Sequence, residues 1–225
     1  MYDTVVLEIN RPDPEVIRQV AAHPVPSLYE VMGKSGIFDV AIQPLFRPIN
    51  LAGAALTVRC QPGDNLMLHK AMTLTRPGDV LVIDTEGAPG AVAGGIATVQ
   101  SLATGVAGVV TNGSARDVRE IREVRFPVFC QFVSPAGTSK NRGGAVNVPV
   151  VVGGVIVRPG DIIVGDDDGV VVVPPERAAD VIEKVEARGA KEERLTEAAR
   201  RGERLFDTLH LQATYKALGI REIEG

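Results

Sequence analysis

The sequence has no tryptophan, 4% aromatic residues, two cysteines and three histidines among its 225 residues, and its formal net charge is −4. Few aromatic rings and an acidic balance argue against a nucleic-acid surface, which usually combines a basic stripe with stacking rings. Because Cys60 and Cys130 lie far apart in apolar segments, we predict neither a disulfide framework nor a zinc site. We interpret both as small buried hydrophobic residues.

Long hydrophobic runs are also missing. No stretch of about eighteen apolar residues occurs, so we predict no membrane span. The first ten residues lack the basic start and long apolar segment of a signal peptide. Hydrophobic residues make up 45% and charged residues 23% of the chain, an ordinary globular composition. We therefore expect a cytoplasmic location, with neither nucleic acid nor a membrane as a partner.

Up to about residue 134, short apolar segments alternate with helix-like segments. We predict strands at 51–59, 80–84, 106–111 and 127–132, and helices at about 65–74, 95–103 and 116–123. Strands separated by helices of this length indicate βαβ units and a parallel sheet.

Beyond residue 134, short valine-rich segments separated by glycine turns predict β-hairpins. The acidic run from Asp166 to Asp168 precedes Gly169 between valine strands, so we interpret it as a hairpin turn rather than a metal site. From residue 175 the charged, alanine-rich sequence predicts helix. We therefore predict an α/β domain over residues 1–174 and a C-terminal helical arm over residues 175–225, packing on its own and a neighbouring subunit.

The most informative motif lies around the strand predicted at 106–111. Twenty residues separate Gly95 from Arg116-Asp117, and Glu120 follows three residues later. Residues three apart share a helical face, so Asp117 and Glu120 should point the same way. An arginine beside acids able to hold a hard cation suits enolate chemistry.

A structural interpretation of the same motif stays open at this point. Asn112-Gly113 reads as a turn, and Ser114 to Asp117 fits a capping box in which Asp117 returns a hydrogen bond to the helix start. Glu120 and Arg116 would then be ordinary solvated charges. Spacing alone does not decide between the two interpretations.

An ordered set of segments extends beyond this motif. The segments are Gly63-Asp-Asn65, Pro77-Gly-Asp-Val-Leu-Val82, Gly105-Val-Ala-Gly-Val-Val110 leading to Arg116-Asp117, Phe126-Pro-Val-Phe129, Val146-Asn-Val-Pro-Val-Val151 and residues 157–170. Through them the chain, from about residue 10 to 205, resembles the RraA-like family of metal-dependent (class II) pyruvate aldolases. Its 4-hydroxy-4-methyl-2-oxoglutarate and 4-carboxy-4-hydroxy-2-oxoadipate aldolases look most similar.

The resemblance implies a fold and an assembly. The fold is a layered α/β/β/α sandwich like that of phosphohistidine swivelling domains. The assembly is a homotrimer or hexamer with active sites between subunits. Glu192 on the C-terminal arm matches an acid that reaches the metal of the adjacent subunit.

The resemblance also implies the site. Mg²⁺ or Mn²⁺ is supported by Asp117, largely through water, and Arg116 holds a small 2-oxo acid and stabilises its enolate. Backbone amides at the start of the helix after Gly94 receive the substrate carboxylate, where anions are favoured. The implied catalytic residues are Arg116, Asp117 and Glu120, and the implied substrate-binding residues are Arg116, Asn65, Gly95, Ile96 and Ala97.

The implied reaction cleaves a 4-hydroxy-2-oxo dicarboxylic acid to pyruvate and a second oxo acid. Oxaloacetate decarboxylation is an expected side activity because it passes through the same enolate. The sequence departs from the aldolase pattern at Gly95, where an aspartate is expected. Asp84 and Glu86 are the acids we consider as substitutes.

The resemblance leaves a second function open, because some proteins of this fold are non-catalytic regulators that bind ribonuclease E. Glycine at residue 95 favours that alternative, whereas Arg116, Asp117 and Glu120 together favour the enzyme.

Two further residues have weaker signals. We interpret His69 as structural, although it follows Asn65 by one helical turn. We interpret Lys140 as a solvated loop charge rather than a Schiff-base lysine, because no apolar context surrounds it.

Overall fold

A mixed sheet of ten strands forms the centre of the structure, a computed structural model that describes residues 3–223. A separate hairpin completes the strands found in that range. The strands are β1 (Thr4–Val5), β2 (Gln43–Pro44), β3 (Leu51–Cys60), β4 (Asp79–Asp84), β5 (Ala91–Ala93), β6 (Gly108–Ala115), β7 (Val128–Val133), β8 (Gly144–Val146), β9 (Val150–Val152), β10 (Val155–Val157), β11 (Ile162–Asp166) and β12 (Gly169–Val173).

Helices connect the strands of the first half and form the C-terminal region. They are α1 (Pro14–Ala21), α2 (Val25–Val31), α3 (Leu66–Met72), α4 (Gly95–Ala103), α5 (Val118–Glu123), α6 (Ala178–Arg200), α7 (Leu205–Thr208) and α8 (Gln212–Ala217). The main path of the sheet is β1-β8-β3-β4-β6-β7-β2, with β3, β4, β6 and β7 parallel. The predicted parallel element is confirmed.

The valine-rich segments form hairpins, as predicted. Strands β11 and β12 pair antiparallel with Asp166 opposite Gly169, and β9 pairs antiparallel with β10. Strand β11 also pairs with β3, which joins this β-rich region to the parallel strands. The acidic run at 166–168 is therefore a turn, and Asp166 Oδ2 accepts a hydrogen bond from the Val25 amide at 2.8 Å.

Both faces of the parallel sheet are buried. Along β4, Leu81 and Ile83 belong to one apolar cluster, whereas Val80 and Val82 belong to another. This alternation follows from the two-residue period of a strand. The first cluster includes residues of α3 and α5, and the second includes residues of β9 to β12. Helices α1 and α2 contact β11, and α2 also contacts β12. The predicted layered α/β/β/α fold is confirmed.

Both cysteines are free and buried. Burial raises the pKa of Cys60 to about 12 and that of Cys130 to about 11, so both thiols stay protonated near neutral pH. They pack as small hydrophobic residues in the first apolar cluster, as the sequence predicted.

The described residues divide into two compact units, one ending at Ile182 and the other beginning at Glu183. The second unit ends in two short helices, α7 and α8, and the rings of Phe206 and Tyr215 meet edge to face with centroids 5.6 Å apart. Between residues 3 and 223, every helix is too short or too polar to cross a membrane.

Candidate active site

A cavity of about 170 Å³ lies where α4 begins, beside the end of β6. Pockets for drug-sized ligands usually measure about 300–1,000 Å³, so this cavity suits a metabolite of a few carbon atoms. The predicted site residues that line it are Asn65, Gly95, Ile96, Ala97, Arg116 and Asp117. The structure thus brings most of the predicted site together.

Arg116 and Asp117 follow directly after β6. The Arg116 amide donates to the Ala93 carbonyl at 2.9 Å, which holds this corner against β5. Asp117 has φ = 56°, a left-handed conformation that is uncommon except in glycine, asparagine and aspartate. Its Oδ2 accepts a hydrogen bond from the Gly95 amide at 2.9 Å and lies 3.6 Å from Arg116 Nε. Asp117 therefore ties the start of α4 to the start of α5.

The predicted capping box is wrong. Ser114 lies inside β6, where it pairs with Ala91 and Phe132, and its hydroxyl donates to the Pro89 carbonyl at 2.7 Å. Helix α5 begins at Val118, and Asp117 makes no side-chain capping bond to it. Pairing with β5 and β7 extends the strand through the Asn112-Gly113 turn signal, so the Asp117 carboxylate is directed to α4 instead.

Gly94 and Gly95 leave room for the acidic side chains. A Cβ at Gly95 would overlap Glu120 Oε2, and a Cβ at Gly94 would lie 3.0 Å from Asp117 Oδ2 and 3.2 Å from Arg116 Cγ. The Glu120 carboxylate thus occupies the space beside α4 in which an aspartate at residue 95 would place its side chain. Glu120, on α5, supplies an acid next to the position where the aldolase pattern has one.

The two other acids considered as substitutes lie elsewhere. Asp84 Oδ1 accepts hydrogen bonds from Asn112 Nδ2 at 2.8 Å and from the Glu86 amide at 2.9 Å. Neither Asp84 nor Glu86 lines the cavity. The expectation that one of them replaces the missing aspartate is wrong, because the ends of β4 and β6 use Asp84 as a structural acceptor.

The acids at the site suit a hydrated divalent ion. Residues 3–223 contain no group of three or more histidine, cysteine, aspartate or glutamate side chains placed to enclose a metal. Asp117 and Glu120 flank Gly95 as a pair. Mg²⁺ is usually held by one or two carboxylates and keeps several waters, and Mn²⁺ also prefers oxygen ligands. The donors therefore fit Mg²⁺ or Mn²⁺, but not a zinc site with four protein ligands.

The start of α4 offers backbone donors to the cavity. The first amides of a helix have no partner within it, and the helix dipole favours anions there. Because the Gly95 amide donates to Asp117, the remaining donors of this turn are the amides of Ile96 and Ala97, two residues that line the cavity.

The structure adds two residues that the sequence interpretation left outside the site. His69 and Lys140 both line the cavity, and Lys140 is exposed, as expected of a solvated loop charge. No local pattern marks Lys140, because its loop is positioned by Asp64, which is distant in sequence. His69 follows Asn65 by one helical turn on α3, and this spacing could have placed His69 at the site from the sequence alone.

Glu192 lies in the second unit, where it pairs with Arg188 Nη2 at 2.8 Å one helical turn away. Its predicted role in the site of an adjacent subunit stays a prediction.

Two larger clefts lie away from this site. One, of about 350 Å³, is lined in part by His23 and Asp166, and the other, of about 400 Å³, by Arg11 and Asp79. Asp79 is held by Arg11 through contacts of 2.7 and 2.8 Å, and Asp166 accepts the Val25 amide. Their acids are committed to the fold.

Comparison with known proteins identifies a family and similar proteins. Residues 22–172 match the RraA-like family, described as Aldolase/RraA. A Halalkalibacterium halodurans protein named "Putative 4-hydroxy-4-methyl-2-oxoglutarate aldolase" is 41% identical over 153 residues, which cover 68% of this chain and 73% of that protein.

Solved structures show the same fold. A Pseudomonas syringae protein superposes with a TM-score of 0.79 at 30% identity, over 89% of this chain and 95% of that one. Streptomyces coelicolor RraAS2, described as an unusual member of the RNase ES inhibitor RraA protein family, superposes with a TM-score of 0.74 at 29% identity, over 83% of this chain and 98% of that one.

Proposed function

The chain belongs to the RraA-like family, and from that membership and the site we propose that it is a class II pyruvate aldolase dependent on Mg²⁺ or Mn²⁺. Its substrate is a 4-hydroxy-2-oxo dicarboxylic acid, as in 4-hydroxy-4-methyl-2-oxoglutarate aldolase, and its products are pyruvate and a second oxo acid. The observation that carries the proposal is the convergence of Arg116, Asp117 and Glu120 around Gly95 at the edge of a small cavity.

Arg116 and the start of α4 bind the pyruvyl half of the substrate. The amides of Ile96 and Ala97 donate to its carboxylate, and Arg116 faces the 2-oxo oxygen. Asp117 Oδ2 lies 3.6 Å from the guanidinium and fixes the first turn of α4 through the Gly95 amide. The backbone donors of α4 are held in position before the substrate arrives, which is the condition for strong electrostatic stabilisation.

The bond between C3 and C4 breaks when the C4 hydroxyl loses its proton to a water molecule acting as base. The electron pair of that bond passes to C3 and onto the 2-oxo oxygen, which gives pyruvate enolate, while C4 becomes the carbonyl carbon of the second oxo acid. Arg116 offsets the new negative charge, and protonation at C3 releases pyruvate. A divalent cation held by Asp117 and Glu120 would add a second positive charge at the same oxygen.

Oxaloacetate decarboxylation follows from the same site. Loss of carbon dioxide from oxaloacetate leaves the same enolate, so Arg116 stabilises both reactions in the same way. We therefore propose it as a side activity.

The assembly is part of the proposal. Helix α4 exposes Ile96, Val99 and Leu102 next to the cavity, with Ile96 85% exposed. Arg116 and Asp117 also line a second cleft of about 370 Å³. These features support a homotrimer or hexamer in which residues 1–174 carry the site and the arm at 175–225 brings Glu192 to the metal of an adjacent subunit. Light scattering gives the subunit number, and Glu192→Gln should weaken activation by Mg²⁺.

The enzyme is tested by adding Mg²⁺ or Mn²⁺ and 4-hydroxy-4-methyl-2-oxoglutarate to the purified chain and measuring pyruvate with lactate dehydrogenase. Oxaloacetate serves as the second substrate. Metal-dependent pyruvate release that Arg116→Ala abolishes supports the proposal.

A second candidate function is binding to a ribonuclease E-type enzyme without catalysis. The exposed apolar residues of α4 and the description of the Streptomyces relative favour it. A pull-down of ribonuclease E, with Val99→Asp as the surface variant and Arg116→Ala as the site variant, separates the two functions. A regulator loses binding only in the first variant and shows no pyruvate release.

A further inference from the structure

Three polar side chains at one end of the cavity have no part in the enolate chemistry described above. Asn65 and His69 lie one turn apart at the start of α3, and Lys140 comes from the loop at 134–143 between β7 and β8. Arg116 and Asp117 belong to the other wall, next to α4. The cavity therefore has a second polar end, formed by elements that the reacting centre does not use.

The loop that carries Lys140 is fixed in place by Asp64. This carboxylate is 1% exposed, and its Oδ2 accepts hydrogen bonds from Ser139 Oγ at 2.8 Å and from the amides of Asn141 at 2.8 Å and Arg142 at 3.2 Å. The Asn65 amide donates to the Ser139 carbonyl at 3.0 Å. Lys140 lies between these bonded residues, so its backbone is held beside α3.

The other side of the loop is also attached. The Ala91 amide donates to the Ala136 carbonyl at 2.9 Å, and Gly137 lies against Arg116 Nη1. The loop at 134–143 therefore runs from the Arg116 wall to the α3 wall and joins the two ends of the cavity.

Polar atoms at this end lack partners. Asn65 is 8% exposed, and its Oδ1 has no hydrogen-bond partner among the described residues. His69 Nε2 is likewise buried without one. An unsatisfied buried polar group costs about 1–3 kcal/mol, so such groups usually face a ligand or an ordered water.

Lys140 places a positive charge at this end, and Asp64, the acid behind its loop, is committed to hydrogen bonds from Ser139, Asn141 and Arg142. Burial lowers the pKa of His69 below its ordinary value of 6.5, and the charge of Lys140 lowers it further. His69 is therefore neutral near pH 7 and donates through one ring nitrogen. Asp117 is the only acid among the described residues that line the cavity, and it lies beside Arg116.

We propose that Lys140, Asn65 and His69 form a subsite for the distal carboxylate of the substrate. This inference rests on the proposed function and deepens it, because it assigns the residues that select 2-oxo dicarboxylic acids over 2-oxo monocarboxylic acids. Lys140 supplies the charge, and the side-chain Nδ2 of Asn65 and the neutral His69 ring supply two further donors. The second carboxylate binds here while the pyruvyl half remains at Arg116.

The test compares two inhibitors of equal chain length. The wild-type chain with Mg²⁺ should exchange the methyl protons of pyruvate with deuterium, a reaction that needs only the enolate end of the site. Inhibition of this exchange is measured with 2-oxoglutarate, which has the distal carboxylate, and with 2-oxopentanoate, which lacks it. Exchange in each variant also shows that the variant is folded.

In the wild type, 2-oxoglutarate should inhibit roughly tenfold more tightly than 2-oxopentanoate, the gain typical of a hydrogen bond to a charged group. Lys140→Met should remove this preference by weakening 2-oxoglutarate alone. His69→Gln and Asn65→Ala should reduce it by smaller factors. Lys70→Met, an exposed lysine on α3 outside the cavity lining, should leave it unchanged.

Equal inhibition by the two acids in the wild type overturns the subsite, as does a preference that survives Lys140→Met or disappears in Lys70→Met. Absence of exchange in the wild type with either Mg²⁺ or Mn²⁺ is a different result. It contradicts the proposed enolate chemistry itself, and the subsite falls with it.

Discussion

The Glu120 carboxylate occupies the space that a side chain at residue 95 would need, so Gly95 and Glu120 are complementary positions. The two residues lie on different helices, α4 and α5, that begin beside the same cavity. An acid can reach this place from either helix, and a side chain at residue 95 would meet the end of the exposed Glu120 side chain. The absence of an acid at residue 95 is therefore compatible with an acidic site.

The first prediction exchanges the two acids. Glu120→Ala should lower kcat/KM for pyruvate release by roughly tenfold to a hundredfold, because one charged contact at the reacting centre is lost. Gly95→Asp combined with Glu120→Ala should recover most of that loss, whereas Gly95→Asp alone forces Glu120 aside. A double-mutant cycle measures the coupling. The exposed Glu123→Ala on the same helix is the control. A double variant no more active than Glu120→Ala contradicts the exchange.

The second prediction concerns the guanidinium. Arg116→Ala should reduce kcat/KM roughly a hundredfold or more, corresponding to about 3 kcal/mol of lost transition-state stabilisation. The melting temperature should stay close to wild type, since the Arg116 side chain is 46% exposed. Arg119→Ala, an exposed arginine on α5, should keep full activity. Near wild-type activity in Arg116→Ala would remove Arg116 from the chemistry.

The third prediction separates the charge of Asp117 from its structural role. Asparagine tolerates the left-handed conformation at φ = 56° and can still accept the Gly95 amide, so Asp117→Asn should melt near wild type. Its activation by Mg²⁺ should be lost, because the carboxylate is gone. Asp117→Ala should lose activation and also about 1–2 kcal/mol of stability, since alanine disfavours that conformation. Thermal melts and Mg²⁺ titrations of activity measure both effects. Unchanged Mg²⁺ activation in Asp117→Asn would exclude Asp117 as a metal-site acid.

The fourth prediction is a pH dependence at Asp64. Burial alone would raise the pKa of Asp64, but hydrogen bonds from the amides of Asn141, Leu66 and Arg142 and from the Ser139 hydroxyl lower it below the ordinary 3.8. A carboxyl whose pKa is lowered by folding stabilises the fold above its unfolded pKa and loses that contribution as the pH falls through the folded one.

Asp64→Ala should therefore cost about 1–3 kcal/mol at pH 7, with a cost that shrinks as the pH falls below 3.8. Urea unfolding at pH 7, 5 and 3 measures the difference from wild type. Asp168→Ala, at an exposed hairpin turn, is the control and should show little change at any pH. A cost for Asp64→Ala that stays constant down to pH 3 contradicts the assignment.

The sequence predicts much of the fold because many of its elements have strong local signals. Strand β3 is a continuous apolar run, α4 follows the Gly94-Gly95 break, and the Asp168-Gly169 turn joins β11 to β12 as predicted. The start of α5 could not be located in this way. Pairing of β6 with β5 and β7 outweighs the local turn signal at Asn112-Gly113, an effect that depends on strands distant in sequence.

Part of the site was predictable from the sequence because some of its residues also have a local signal. Arg116 and Asp117 stand in a motif of fixed spacing, and the cavity brings them together with Asn65 and the start of α4. Lys140 and the overlap between Glu120 and Gly95 have no local signal. The position of Lys140 depends on hydrogen bonds that Asp64 accepts from Ser139, Asn141 and Arg142, and the overlap depends on the approach of two helices that only the folded chain defines.

The most direct test of the central claim is pyruvate release by the purified full chain from 4-hydroxy-4-methyl-2-oxoglutarate, with Mg²⁺ or Mn²⁺ and a lactate dehydrogenase readout. The account predicts release that EDTA stops, that added metal restores and that Arg116→Ala abolishes while Arg119→Ala does not. No pyruvate from this acid, from 4-carboxy-4-hydroxy-2-oxoadipate or from oxaloacetate, with either metal, would contradict the account.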